Sequence, residues 1–351
     1  MCSAFSSNGI NTTLLATANK SSKKNYEKIK ENIWNYYGVK NKFNIMWMNF
    51  RYPNIRLKHF FHGLFTCLFL LNKNFSIIYT RSEWVAIFSS LLLRKKTILE
   101  LHNFKNSFSQ KLIVKKSLIN KHISIVCISH ALKNELIKFG YSRKNVVAHD
   151  AVDLDLFNLH VEEYKIRKKY NISKSGLVIT HIGSVRKGRG FETIINTSRK
   201  MKDCLFLFVC GHEADLEIIN HQKNKKQSNV KFIDFIPNSD IPEILKSSDI
   251  LLMTYTSELD TLRFTSPLKM FEYMASGKPI ISSDFPVLRE VLNDNNSLLI
   301  PPSNPDSLID AIEKILNDKK FSNRISNQAY EDVKKYTWNK RAKKIIDFII
   351  T

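Results

Sequence analysis

The chain has 351 residues, of which 43% are hydrophobic and 25% are charged. These proportions exclude a disordered or fibrous chain, and the length suits two domains better than one. The net charge is +22: residues 1–150 carry 24 Lys and Arg against 6 Asp and Glu, whereas residues 151–351 carry 30 against 26. A lysine-rich codon bias would not spare the second half so completely. The asymmetry therefore favours an anionic partner for the first half, which is a phosphorylated acceptor, an acidic lipid surface or nucleic acid.

The cysteine pattern and the absence of long apolar runs indicate the cellular compartment of the chain. The five cysteines form no Cys-x-x-Cys pair, and four of them lie in apolar runs. This pattern predicts buried thiols in a reducing compartment. No signal peptide is visible, and the longest apolar run, Phe60–Leu71, is too short to span a bilayer. We therefore expect a cytoplasmic chain.

The first half alternates between strand-like and helix-like segments. Short apolar runs predict strands at 12–16, 43–48, 75–79, 96–102, 123–128 and 145–148. Apolar spacing predicts helices at 26–37, 56–71, 84–93, 108–119 and 131–139. This alternation predicts a parallel sheet with helices on both faces.

The start of the chain departs from the usual order of such a domain. Met1–Gly9 is typical of the end of a helix, with Gly9 as the residue after it. A doubly wound domain normally opens with a strand and a glycine-rich turn. We therefore expect the first domain to lack its first strand, which would lie near the centre of the sheet and leave two neighbouring strands with unpaired backbone groups.

The alternation restarts after Asp150. Residues 151–174 are polar and predict the connection between domains. Strands are predicted at 177–182, 205–210, 230–235, 250–254, 279–282 and 297–300. Helices are predicted at 191–201, 241–246, 268–275, 287–292 and 306–316 and beyond. The sequence thus predicts a second doubly wound unit, and ligands of such units bind outside the carboxyl ends of the strands.

A glycine-rich loop, residues 181–190, follows one buried strand and precedes a helix. Gly183, Gly188 and Gly190 allow tight turns and close approach to a ligand, while Arg186 and Arg189 supply positive charge. The composition favours diphosphate binding. A P-loop is excluded because Arg189-Gly190 stands where Lys-Ser/Thr is required, and the dinucleotide fingerprint fails on glycine spacing.

A second segment, Thr265–Pro279, predicts a short helix that begins at a binding site. Ser266 is expected as the N-cap and Pro267 as the first helical residue, with Gly277 after the last turn. Lys269 in the first turn would add charge near a phosphate. Glu272, one turn further on, would accept hydroxyls of a ribose.

These residues carry a family resemblance. The segments 127–133, 151–157, 183–190, 250–255, 266–279 and 284–291 resemble, in order, those of the retaining glycosyltransferases of family 4, which have the GT-B fold. The resemblance implies an α/β protein with two Rossmann-like doubly wound domains facing across a cleft. It implies an acceptor-side domain at 1–160, a donor domain at 161–337, and a C-terminal helix, 338–351, packed back on the first domain.

The resemblance also assigns roles to residues. It implies that Arg189 and Lys269 hold the donor diphosphate, and that Glu272 holds the donor ribose. His102, at a strand end, resembles the family's cleft histidine beside the reacting sugar. The family often has a second glutamate eight positions before the ribose glutamate, but Phe264 stands there in this chain. The family also often has an arginine directly after the first glycine of the loop. Ser184 occupies that position here, and Arg186 is expected to supply the missing positive charge.

The sequence therefore predicts a retaining glycosyltransferase with catalytic His102, Arg189 and Lys269. The nucleotide-sugar donor is expected at Gly183, Arg186, Gly190, Ser266, Pro267 and Glu272, without a metal or other cofactor. The expected acceptor is a saccharide or a lipid-linked group in bacterial surface glycan assembly, at an anionic membrane surface and without nucleic acid. Three alternatives remain open at this point: a nucleotide-sugar epimerase of the same fold, a basic nucleic-acid-binding protein, and an inactive transferase homologue.

Overall fold

The structure, a computed structural model, describes residues 1–18, 33–36, 38–39, 41–49, 57–105, 107–172, 176–210, 215–234 and 236–350. The chain divides into two compact units. The first comprises Met1–His149, Arg263–Thr265 and Trp338–Thr351, and the second comprises Asp150–Leu262 and Ser266–Thr337.

The first unit contains six strands and seven helices in its described residues. The strands are β1 (Thr13–Ala18), β2 (Asn44–Asn49), β3 (Ile77–Thr80), β4 (Lys96–Leu101), β5 (Ile123–Cys127) and β6 (Val146–Val147). The helices are α1 (Cys2–Ser7), α2 (Ile33–Tyr36), α3 (Lys58–Leu70), α4 (Glu83–Phe88), α5 (Phe108–Ile119), α6 (His130–Lys138) and the C-terminal α14 (Trp338–Ile350). A π-helical turn, Ser89–Leu93, continues α4. The predicted helix at 26–37 is seen only at Ile33–Tyr36, because most of that range lies outside the described residues.

All strand pairs of the first unit are parallel, but they fall into two sheets. β1 pairs with β2, and the other four strands pair in the order β3-β4-β5-β6. Within the described residues no strand joins the two sheets. The absence of a first strand remains a prediction, which nothing in the described residues tests. The predicted helix end at the start of the chain is confirmed, since α1 ends at Ser7 and Gly9 has a φ of 79°.

The C-terminal helix α14 packs within the first unit. It contacts α1, and Ile345 and Ile349 share a buried cluster with Ile98 of β4 and Val126 of β5. The Arg341 side chain donates hydrogen bonds to the carbonyls of Ala148 and His149. These contacts tie the last helix to the end of β6.

The second unit holds one six-stranded parallel sheet. Its strands are β7 (Leu177–Ile182), β8 (Cys204–Val209), β9 (Val230–Ile233), β10 (Ile250–Met253), β11 (Ile280–Ser283) and β12 (Leu298–Ile300), in the order β12-β11-β10-β7-β8-β9. The helices are α7 (Glu163–Lys169), α8 (Phe191–Lys200), α9 (Leu216–Asn224), α10 (Ile241–Lys246), α11 (Leu268–Ser276), α12 (Pro305–Asn317) and α13 (Lys319–Val333). The strand order reverses between β7 and β10, so the carboxyl ends of these two strands form the switch point where open α/β sheets bind ligands. The two Rossmann-like units expected from the sequence are confirmed.

Two segments of this unit differ from the sequence prediction. Residues 150–160 group with the second unit rather than the first, because Val152 donates its N–H to Tyr336 and bridges to Thr337. The helix predicted at Val287–Leu292 is wrong, since these residues form successive hydrogen-bonded turns. The apolar spacing there reflects burial of the turn and not a helical face.

Two further observations concern the cysteines and the length of the apolar helices. All five cysteines are free thiols, and Cys67, Cys127, Cys204 and Cys210 are buried, as predicted. In the part of the chain that the structure describes, no helix is both long and apolar enough to cross a membrane.

Candidate functional site

The glycine-rich loop lies at the switch point and is fixed against the segment after β10. Gly190 has a φ of 79°, and a Cβ placed on it would lie 1.6 Å from the carbonyl oxygen of Thr254. Thr256 donates its N–H to the carbonyl of Gly188 over 3.1 Å. Gly183 has a φ of 112° but has open space where a Cβ would lie. The loop therefore needs Gly190 for both its backbone conformation and its close contact with residues 254–256.

Helix α11 is fixed at the same edge of the sheet through a buried tyrosine. The hydroxyl of Tyr273 accepts a hydrogen bond from the N–H of Ile182 at 2.9 Å, and it donates to the carbonyl of Leu252 at 3.3 Å. These two residues belong to β7 and β10. The bonds place the beginning of α11 beside the carboxyl ends of both strands. Neither α11 nor α8 has a side-chain cap at its N-terminus.

Two predicted cations meet at one buried aromatic ring. The Arg189 guanidinium lies 5.4 Å from the centroid of the Tyr255 ring, and the Lys269 Nζ lies 4.8 Å from it. Arg189 also donates to the Tyr255 hydroxyl at 3.4 Å, and Lys269 donates to the carbonyl of Ile182 at 3.3 Å. In the described residues no carboxylate lies within 4 Å of either cation. Two neighbouring basic side chains without a carboxylate within 4 Å are the arrangement expected of an anion site, and the pair is called the anion site below.

The charge state of this site is strongly perturbed. Burial, together with the charge of Arg189, lowers the pKa of Lys269 to about 7. Burial raises the pKa of Glu272 to about 7, against the opposing effect of Lys269. Within the described residues the Glu272 carboxylate makes no hydrogen bond. Both groups thus lie in an environment that disfavours their charges until a ligand compensates them.

Two other predicted binding residues are already engaged within the protein. The Arg186 Nε donates to Ser184 Oγ at 3.1 Å and lies 3.7 Å from Asp215 Oδ1. The Ser266 hydroxyl accepts the N–H of Asp150 at 2.8 Å and is buried. Ser266 as the N-cap of α11 is therefore wrong. Pro267 is the N-cap and not the first helical residue, since the helix begins at Leu268.

The position of the expected second glutamate has a structural role. Phe264 is buried in the core of the first unit, and its carbonyl accepts a hydrogen bond from Ser129 Oγ at 3.0 Å. The adjacent Arg263 forms an ion pair of 2.7 Å with Glu135. Residues 263–265 therefore anchor to the first unit by apolar packing and one ion pair.

His102 lies in the first unit, directly after β4, with its side chain 30% exposed. Its Nε2 lies 2.6 Å from Oε1 of Glu100, whose side chain is fully buried. The same carboxylate accepts hydrogen bonds from Arg81, Tyr79 and Arg341. The sequence analysis did not single out Glu100, although a carboxylate inside an apolar strand is unusual.

No group of three or more His, Cys, Asp or Glu side chains suited to a metal ion is found among the residues that the structure describes. The anion site itself consists of nitrogen donors with positive charge, which repel a cation. A metal-free site remains a prediction.

Comparison with known proteins finds similarity to glycosyltransferases. A family model described as "Glycosyl transferases group 1" matches residues 162–332. An uncharacterized glycosyltransferase of Methanocaldococcus jannaschii is 24% identical over 235 residues, which are 64% of this chain and 58% of that protein. The matched part therefore spans less than two thirds of that relative. The Escherichia coli UDP-Gal:alpha-D-GlcNAc-diphosphoundecaprenol alpha-1,3-galactosyltransferase is 24% identical over 332 residues, 85% of this chain and 81% of that protein.

A solved structure resembles the whole fold. The crystal structure of Anabaena HepE in complex with UDP superposes with a TM-score of 0.76 at 16% identity, over 99% of this chain and 95% of that chain. This similarity shows that the two chains have the same fold, which is the GT-B fold expected from the sequence.

The glycine loop generates a stability prediction. We expect Gly190→Ala to destabilise the second unit by about 2–5 kcal/mol, because a left-handed alanine costs about 1–2 kcal/mol and displacement of Thr254 costs about 1–3 kcal/mol. Gly277→Ala is the matched control and should cost only the first of these terms, because Gly277 has a φ of 70° and open space where a Cβ would lie. Urea unfolding followed by far-ultraviolet circular dichroism measures both. Equal losses for the two variants would contradict the close approach at Gly190.

Proposed function

We propose that this chain, whose residues 162–332 match the family model of the glycosyl transferases group 1, transfers a sugar from a nucleotide-diphosphate sugar to an acceptor, with retention of anomeric configuration. The second unit binds the donor, and the first unit contributes to acceptor binding. The setting is assembly of a bacterial surface glycan.

The anion site at Arg189 and Lys269 carries this proposal. A diphosphate placed there would accept hydrogen bonds from both cationic side chains and from N–H groups at the beginning of α11, which has no side-chain cap. In the reaction, negative charge grows on the departing diphosphate as the bond to the sugar breaks. Two fixed cations in a partly buried site stabilise that charge more in the transition state than in the bound donor.

Glu272 and His102 complete the proposed machinery. Glu272 lies one turn after Lys269 on α11, and its unbonded carboxylate suits the two hydroxyls of a ribose. His102 contacts the transferred sugar. We propose that the leaving diphosphate accepts the acceptor's proton, so that no strong base and no metal ion are required.

The relatives support the choice of ligands. HepE is crystallised with UDP, and the Escherichia coli relative is named for transfer from UDP-Gal to a sugar on diphosphoundecaprenol. We therefore propose a uridine nucleotide as the donor and a lipid-linked or polysaccharide acceptor.

A surface patch of the first unit fits work at a membrane. Four exposed leucines lie on α3, the residue after it and the adjoining π-helical turn: Leu68, Leu71, Leu91 and Leu92. Lys73 and Arg94 are exposed beside them in the chain. We propose that this leucine patch and its basic neighbours dock on the anionic inner face of the cell membrane.

Binding of UDP and of uridine tests the donor site. Titration calorimetry should show that Arg189→Ala and Lys269→Ala each weaken UDP binding about tenfold or more, because each removes a charged hydrogen-bond donor. Uridine, which lacks the diphosphate, should bind all three proteins alike.

The controls separate a local effect from misfolding. Lys187→Ala removes an exposed lysine of the same loop, which pairs with Glu258, and should leave UDP binding unchanged. Turnover of UDP-, GDP- and ADP-sugars by the wild type, in the presence of EDTA, should yield an α-linked product from an α-linked donor. Absence of binding to any nucleoside diphosphate, or equal losses for UDP and uridine, would overturn the proposal.

Vesicle binding tests the membrane proposal. The chain should sediment with vesicles that contain anionic lipid at low salt, and less so as salt rises, since each basic group near the surface contributes on the order of 1 kcal/mol. Leu91→Ser with Leu92→Ser should weaken binding, whereas exchange of the exposed Tyr330 of the second unit for serine should not. Binding that ignores lipid charge and salt would contradict the electrostatic account.

A further inference from the structure

A fully buried carboxylate joins several side chains near the carboxyl ends of β3 and β4 in the first unit. The Glu100 side chain has no exposed surface, and Tyr79, Arg81, His102 and Arg341 all bond to it. Oε1 accepts from Arg81 and His102, whereas Oε2 accepts from Tyr79 and Arg341. These partners come from three separate segments, at the ends of β3 and β4 and on α14.

The network keeps this carboxylate ionised. Burial alone would raise the pKa of Glu100, but the bonds from His102, Arg341, Tyr79 and Arg81 outweigh it and hold the pKa well below its usual range. An ionised carboxylate only accepts hydrogen bonds. At 2.6 Å the contact with His102 is a hydrogen bond, so the Nε2 of His102 must carry the proton.

We propose that Glu100 is a positioning residue that holds His102 as the Nε2–H tautomer and leaves Nδ1 as the atom that contacts the ligand. The inference rests on the proposed function only in taking that ligand to be the transferred sugar. The Nδ1 atom makes no hydrogen bond to the described residues, and the ring is 30% exposed.

The place of the ring proton decides what Nδ1 offers. The Glu100 carboxylate also accepts hydrogen bonds from two guanidinium groups, Arg81 at 2.9 Å and Arg341 at 2.8 Å, so it has no proton to donate to His102. In the neutral ring, a proton held on Nε2 leaves the lone pair of Nδ1 to accept a hydrogen bond.

A nitrogen that accepts hydrogen bonds at this position restricts which ligand groups can bind to it. A sugar hydroxyl can donate a hydrogen bond to Nδ1, whereas an ionised phosphate oxygen cannot. His102 thus suits a hydroxyl of the transferred sugar and not an ionised phosphate. Inverting the tautomer would reverse the donor and acceptor roles and misplace that hydroxyl.

Nitrogen NMR of the full-length chain tests the tautomer directly. With ¹⁵N-labelled histidine at pH 8, where an ordinary imidazole is neutral, long-range proton–nitrogen correlations should show His102 protonated at Nε2 and unprotonated at Nδ1. The signal is assigned by its loss in His102→Gln. A His102 that is protonated at Nδ1, or that exchanges between the two tautomers, would overturn the proposal. This readout needs no substrate, so it is independent of whether the chain binds UDP.

A variant separates positioning from a merely structural role. Glu100→Gln offers His102 an amide that both donates and accepts, so the tautomer should become mixed and kcat should fall about 10–100-fold, while the dissociation constant of UDP stays within twofold. Tyr79→Phe removes another bond to the same carboxylate and should leave the tautomer of His102 unchanged. Should Glu100→Gln fail to fold, the tautomer of the wild type still decides the proposal, since protonation of His102 at Nδ1 would overturn it. An unaltered tautomer and kcat in a folded Glu100→Gln would refute it.

Discussion

The candidate site depends on two positive charges, Arg189 and Lys269, that lie against one buried tyrosine without a carboxylate partner in the described residues. Such an arrangement is costly in the absence of a ligand, and the lowered pKa of Lys269 expresses that cost. It persists because the surrounding contacts are rigid. Gly190 contacts Thr254, Tyr273 bonds both β7 and β10, and the Ser283 hydroxyl bonds the carbonyl of Tyr255. The sheet thus holds the two cations together.

The first unit has the opposite distribution of charge, a buried negative charge among positively charged groups. There one buried carboxylate, Glu100, is surrounded by donors, two of which are guanidinium groups. A buried charge that is fully bonded is stable and orients the groups around it. In the second unit the two basic side chains have no carboxylate within 4 Å in the described residues, whereas in the first unit the carboxylate of Glu100 bonds His102 directly. Each arrangement lies at the carboxyl ends of parallel strands, where the fold exposes side chains to a ligand.

Local patterns in the sequence were sufficient for most of the described strands and helices. The helix at 108–119 and the strand at 177–182 are observed with the predicted bounds, because apolar spacing and flanking polar residues are local signals. The roles of Ser266 and of residues 287–292 were mispredicted, since a long-range bond to Asp150 and burial of a turn override local preference. The Glu100–Arg341 pair joins residues 241 positions apart, and no local pattern reports such a contact. Tyr255 was included in a segment that resembles the family, but its contact with two cations requires the fold.

Compensation of the two cations by a bound diphosphate is tested most directly by the number of protons taken up when UDP binds. Burial and Arg189 keep the pKa of Lys269 at about 7, so this lysine is mostly neutral at pH 8, and a bound diphosphate should raise its pKa and draw a proton from solution. Titration calorimetry of UDP at pH 8, in two buffers of different ionisation enthalpy, should therefore show uptake approaching one proton per UDP bound. The affinity should weaken as the pH rises from 7 to 9. Lys269→Arg, which stays charged, should bind UDP without proton uptake. Binding of UDP to the wild type with no proton uptake, or with proton release, would contradict the account.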